Sequence, residues 1–113
     1  KVGLHRQTAA LYDVLAAPKL RPLKPAGEWN TSRIRVAPSR IVKGGTRVSH
    51  YLNDQLVLEY ELNSPELRTA IEKSKFKGIE RFGKLHKGHI LLQDHGDQVW
   101  YRNIRIQRLA GQS

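Results

Sequence analysis

The chain contains no cysteine among its 113 residues. Disulfides and thiolate chemistry are therefore excluded, although the compartment stays open, because many exported proteins also lack thiols. Long apolar runs are missing too. No stretch reaches the ~18 residues that a membrane-spanning helix requires, and no basic-then-apolar leader is present, so no membrane partner is expected. Neither a GxGxxG fingerprint, nor a P-loop, nor a Gly-x-Ser-x-Gly elbow occurs, which leaves nucleotide use and serine-hydrolase chemistry unsupported. Acidic residues are scarce, ten against twenty Lys and Arg, for a net charge of +10. Such a balance raises binding of nucleic acid or another polyanion. The basic residues are scattered as single residues or close pairs, as in LRPLKP, SRIRV and RNIRIQR, with no run of five and no aromatic-basic alternation. That spacing describes a solvated basic surface, and no nucleic-acid partner is expected.

At 39% hydrophobic content, 113 residues make one domain at most. The patterns are mainly those of strands. AALYDVL (9 to 15) is short, apolar and β-capable, and the proline-rich APKLRPLKPAGE (17 to 28) must be a loop. EWNTSRIRVA (28 to 37) alternates as a half-buried strand does. TRVSHYL (46 to 52) and QLVLEYEL (55 to 62) flank Asn53 and Asp54, two residue types that tolerate positive φ, and so predict a β-hairpin. One helix is predicted near residues 65 to 74, with Ser64 as N-cap, Pro65 in the first turn, and Leu67 and Ile71 on one face. After a basic loop from Lys77 to Lys87, GHILLQDH and VWYRNIRIQRL are expected to pair across Gly96 and Asp97. Strands separated by turns at short intervals argue for an antiparallel β-sandwich. Burial of Ile90, Leu92, Ile104 and Ile106 is part of that expectation.

GHILLQDHG changes character along its length. In a strand, Gln93 and His95 share one face and Asp94 points to the other, so an apolar segment turns polar just before a glycine. Together with KPAGEWN (24 to 30), VSHYLNDQLVLEYEL (48 to 62), SKFKGIERFGK (74 to 84) and VWYRNIRI (99 to 106), this segment resembles the 3-keto-disaccharide hydrolase family, long catalogued as a domain of unknown function. The motifs run in the family's order over nearly the whole chain. The resemblance implies a concanavalin-like jelly roll of two antiparallel sheets, of which residues 1–113 would form the C-terminal portion of a single domain. The expected fold class is thus an all-β, antiparallel β-sandwich, partial, with one short helix. The chain opens at Lys1 within a pattern, in keeping with opening strands that lie upstream. Unpaired edges would then favour self-association. The resemblance also implies a carbohydrate partner and a periplasmic or secreted location. Two positions depart from the family pattern: Ala9, where glycine often stands, and Asp54, where glycine commonly completes the turn.

What the resemblance implies chemically is glycoside cleavage on 3-keto-disaccharides or 3-keto-glycosides. A keto group at C3 acidifies the hydrogen on C2, so one base can remove it, the C1 substituent leaves, and water adds back. Such chemistry needs a base active near neutrality and a positive group at the enolate oxygen. An ordinary glycosidase needs two carboxylates flanking the bond instead. His95 is the candidate base, against the alternative of a histidine bonded to the adjoining turn. Arg102 is the candidate enolate-stabilising cation, against that of a strand-bridging arginine. Gln93, Asn30, His50 and Trp100 are candidates for substrate binding, although the parity of His50 with Val48 and Leu52 also fits a core-facing ring. Trp29 reads as core. His86, His89 and His95 fall within ten residues but without a metal-site spacing, so no metal ligands are assigned. A cofactor is left unknown; a divalent cation holding the enolate in the complete domain would take its remaining ligands from outside this chain. A non-catalytic carbohydrate-binding module is the alternative function, and polyanion binding a more remote one.

Overall fold

A computed structural model describes residues 9, 11, 14–16, 22–79, 82, 88–92, 96 and 98–109. At its centre three strands, β1 (Ser32–Pro38), β2 (Thr46–Leu52) and β3 (Gln55–Glu61), form an antiparallel sheet in sequence order, followed by helix α1 (Pro65–Glu72). This is an open all-β sheet with one short helix, consistent with part of a jelly roll. Sequence order is spatial order because both connections are short. In the first, the Ser39 hydroxyl accepts from the amides of Ile41 and Val42, and Ser39 N–H donates to the Gly45 carbonyl at 2.9 Å. In the second, Asn53 and Asp54 stand at φ of 49° and 65°. Two successive left-handed residues make the turn whose twist matches that of the strands it joins, as the LND triplet predicts.

Register decides which residues share a face. Ile34 pairs with His50 and Val36 with Val48 across β1 and β2, while Val48 pairs with Tyr60 and His50 with Leu58 across β2 and β3. Directly opposed side chains lie on the same side, so these six form one face. The other side carries the row Arg35, Ser49, Glu59 and the row Ala37, Arg47, Glu61. Between His50 and Tyr51 the register shifts, leaving Val57 as the extra residue of a bulge, buried at 3% exposure. Val48, Leu52, Val57, Ala37, Val14 and Leu67 make the core of the described residues. Ile34 and Val36, on edge strand β1, remain 63% and 55% exposed.

Helix α1 begins as its sequence dictates. The Ser64 hydroxyl accepts from Leu67 N–H at 3.2 Å, Pro65 occupies the first turn where its missing N–H costs nothing, and Leu67 is the most deeply buried side chain. No helix among the described residues is long and apolar enough to cross a membrane.

Three sequence expectations are corrected. In the segment expected as a strand over 9 to 15, Leu11 and Leu15 exchange backbone hydrogen bonds in both directions at 2.9 Å, so these two residues pair with each other rather than with a neighbouring strand. The strand predicted from residue 28 begins only at Ser32, since Asn30 and Thr31 are bound to the hairpin turn instead. Most consequentially, residues 88–92 and 98–108 join no ladder among the described residues, and Ile90, Leu92, Ile104 and Ile106 are exposed at 69%, 47%, 58% and 79%. Extended segments are held by ladder partners, and these find none here. A local cause adds to this: Asn103 stands at φ 55°. A left-handed residue interrupts the two-residue alternation on which the expected burial of Ile104 and Ile106 rests.

Candidate functional site

Of the candidate residues, Asn30, His50, Trp100 and Arg102 are described, whereas Gln93 and His95 lie outside the described residues. His50 sits in the middle of β2 at 9% exposure. Its Nδ1 donates to the Ala9 carbonyl at 2.9 Å, and a carbonyl can only accept, so the neutral ring presents Nε2 as acceptor to the Tyr60 hydroxyl at 3.0 Å. The two rings meet edge to face, with centroids 5.3 Å apart. Burial pushes the Tyr60 phenol up to about 12, which keeps its proton in place as the donor. Both ring nitrogens of His50 are therefore engaged, Nδ1 tying Ala9 to the sheet and Nε2 linking β2 to β3. Ala9 itself holds φ 70°, which accounts physically for a glycine preference at this position.

Asn30 belongs to a polar knot. Its Oδ1 accepts from Lys24 N–H at 2.9 Å and from Asn53 Nδ2 at 2.8 Å, while Asn53 Oδ1 accepts from Thr31 N–H at 2.8 Å and Asn53 Nδ2 also donates to the Pro22 carbonyl. Residues 22–31 are thereby fastened to the β2–β3 turn. Among the described residues, no hydrogen bond from the Asn30 amide N–H groups competes with a ligand.

Trp29, next in sequence, is not a core residue: it is 44% exposed, and the Arg102 guanidinium carbon lies 4.0 Å from its ring centroid. Trp100 is 66% exposed. The structure thus brings Trp29, the sequence neighbour of Asn30, against Arg102, and leaves His50 engaged elsewhere.

Sequence reasoning missed a second polar group, on the opposite side of the sheet from His50. Arg47 Nε donates to Glu61 at 2.7 Å, Arg47 Nη1 lies 3.9 Å from Glu59, and the Ser49 hydroxyl donates to Glu59 at 2.7 Å. The alternation in LVLEYEL, which gives Glu59 and Glu61 the same parity, was the available signal. Two residues along a strand correspond to roughly 7 Å, close to the separation of an inverting glycosidase pair. A general acid, however, needs a raised pKa. The Ser39 hydroxyl, followed by Arg47, holds the Glu61 carboxyl below the usual carboxylate range. The group therefore suits a cross-strand brace better than glycosidic acid catalysis. Among the described residues, no three His, Asp or Glu side chains converge as a metal site.

Comparison with known proteins follows the same lines. The family model for the 3-keto-alpha-glucoside-1,2-lyase-like domain matches residues 1–107. A 3-keto-disaccharide hydrolase of Bacteroides thetaiotaomicron is 38% identical over 115 residues, a match that covers 93% of this chain and 37% of that protein. The chain thus spans little more than a third of the length of that relative. With the match extending over all but the last few residues, the chain belongs to the 3-keto-alpha-glucoside-1,2-lyase-like domain family.

Proposed function

We propose that the protein carrying this chain cleaves 3-keto-disaccharides or related 3-keto-glycosides by elimination and hydration. The observation that supports this best is the Arg102 guanidinium, which lies over the Trp29 ring and pairs with no carboxylate among the described residues, while the carboxylates Glu59 and Glu61 are committed to Arg47 and Ser49. In this reading His95 takes the C2 proton, and the electron pair moves to the C3 oxygen as an enolate, where Arg102 N–H groups meet it. Collapse of the enolate expels the C1 substituent as an alcohol once it is protonated, leaving an unsaturated 3-keto sugar. Water then adds at C1 and a proton returns to C2. Gln93 and Asn30 hold hydroxyls, and Trp100 offers an exposed ring face to the sugar. His50 supports the sheet from beneath rather than touching the substrate.

Solvent isotope decides the route. With the full-length protein in deuterium oxide, the released 3-keto sugar is expected to carry deuterium at C2, beyond any exchange in a protein-free control. Cleavage with hydrogen retained at C2 would indicate direct hydrolysis, and binding without cleavage would indicate a carbohydrate-binding module.

The reading also includes self-association. Among the described residues β1 and β3 both have one unpaired edge, and exposed apolar side chains flank β1. In sedimentation velocity the 113-residue chain is expected to show concentration-dependent oligomers, favoured by salt that screens its +10 charge. A monodisperse, cooperatively melting monomer would remove this part of the reading.

A further inference from the structure

Arg102 is exposed, and among the described residues no carboxylate or carbonyl pairs with it, while its guanidinium lies over the Trp29 ring. A guanidinium is planar, with all five N–H donors in its plane. Stacking on an indole uses the flat face, so it restrains the group without consuming a single donor. An ion pair would do the opposite, occupying two donors and offsetting the charge. Trp29 is in turn set in place by its neighbour, since Asn30 is bonded to Lys24 and to the hairpin residue Asn53. The chain thus runs from the β2–β3 turn through Asn30 to Trp29 and then to a guanidinium 73 positions later in sequence.

We propose that Trp29 is a positioning residue for Arg102, holding the guanidinium plane so that its free N–H edge faces the C3 oxygen of a 3-keto sugar. The proposal rests on the role given to Arg102 above. Fixing a donor before the reaction lowers the reorganisation needed as charge develops, so the benefit falls on turnover rather than on substrate affinity.

Variants of the full-length protein are assayed on a 3-keto-disaccharide, with a side-chain NMR measurement that does not depend on activity. Arg102→Ala is expected to lower kcat by about 10²- to 10³-fold, as loss of an oxyanion donor does. Trp29→Ala is expected to lower kcat by about 3- to 30-fold with KM little changed, the range a cation–π contact supports. Trp29→Phe, which keeps a ring face, should recover most of that loss. The double variant should be no slower than Arg102→Ala alone. Ring-current shifts of the Arg102 side-chain protons should be present in the native protein and absent in Trp29→Ala. Native protein without those shifts, or a kcat loss in Trp29→Ala that multiplies fully with that of Arg102→Ala, overturns the positioning role. Full activity of Arg102→Ala, in a protein whose native form shows the ring-current shifts, instead overturns the catalytic assignment of Arg102 on which the proposal stands.

Discussion

Replacing His95 by alanine in the full-length protein is expected to slow turnover of a 3-keto-disaccharide by about 10²- to 10⁴-fold, with KM close to the native value. The size follows from the chemistry. The C2 hydrogen beside a ketone is acidic enough for one imidazole to remove, and losing that imidazole leaves water as the base. Imidazole titrates near neutrality, where the fraction in the basic form and its strength as a base are both useful. Gln93→Ala should act differently, raising KM with a smaller effect on kcat, because an amide that donates to one hydroxyl and accepts from another stabilises bound substrate and transition state alike. A structural His95 makes another forecast. Its loss would cost the ~1 kcal/mol of a hydrogen bond and lower the melting temperature, while activity per folded molecule would survive. Turnover and melting measured on one preparation separate these outcomes, and full turnover with lowered stability would take His95 out of the mechanism.

What the sequence disclosed, it disclosed through local chemistry. Ser64 and Pro65 start a helix wherever they stand, and Asn53 followed by Asp54 makes a left-handed turn without help from the rest of the chain. Strand β2 was legible for the same reason, since alternation in TRVSHYL corresponds to a buried face with Val48, His50 and Leu52 on it. Long-range pairing was less legible. Alternation in VWYRNIRI says how side chains would be distributed if the backbone were extended throughout, and Asn103 breaks that condition at φ 55°. Trp29 reads as core because tryptophan is mostly apolar, yet its exposed ring is occupied by an arginine from 73 residues away, a partner that no local window contains. Glu59 and Glu61 were visible as a same-face pair, but only the register with Arg47 and Ser49 reveals what they bind.

A large stability effect is expected at Asn53. Its side chain accepts from Thr31 and donates to Asn30 and to the Pro22 carbonyl, and its backbone stands at φ 49°. Three partly exposed hydrogen bonds at the low end of ~0.5–1.5 kcal/mol each, together with a few tenths of a kcal/mol for exchanging asparagine, which tolerates the left-handed region, for alanine, which does not, give a loss of roughly 2 kcal/mol for Asn53→Ala. Asn53→Gly removes the same bonds but keeps the backbone at ease, so it should lose about 1 kcal/mol less. Asp54, at φ 65°, has an exposed side chain, and Asp54→Gly should therefore gain up to about 1 kcal/mol by relieving the turn alone. Urea unfolding of the three variants reads all of these terms on one scale. Because Asn53 also holds residues 22–31 beside the sheet, its loss should free Trp29 and weaken the Arg102 ring-current shifts, whereas Asp54→Gly should leave them unchanged. Equal losses for Asn53→Ala and Asn53→Gly would show that backbone conformation contributes nothing at this turn. Unchanged Arg102 shifts in Asn53→Ala would show that Trp29 is held without the turn.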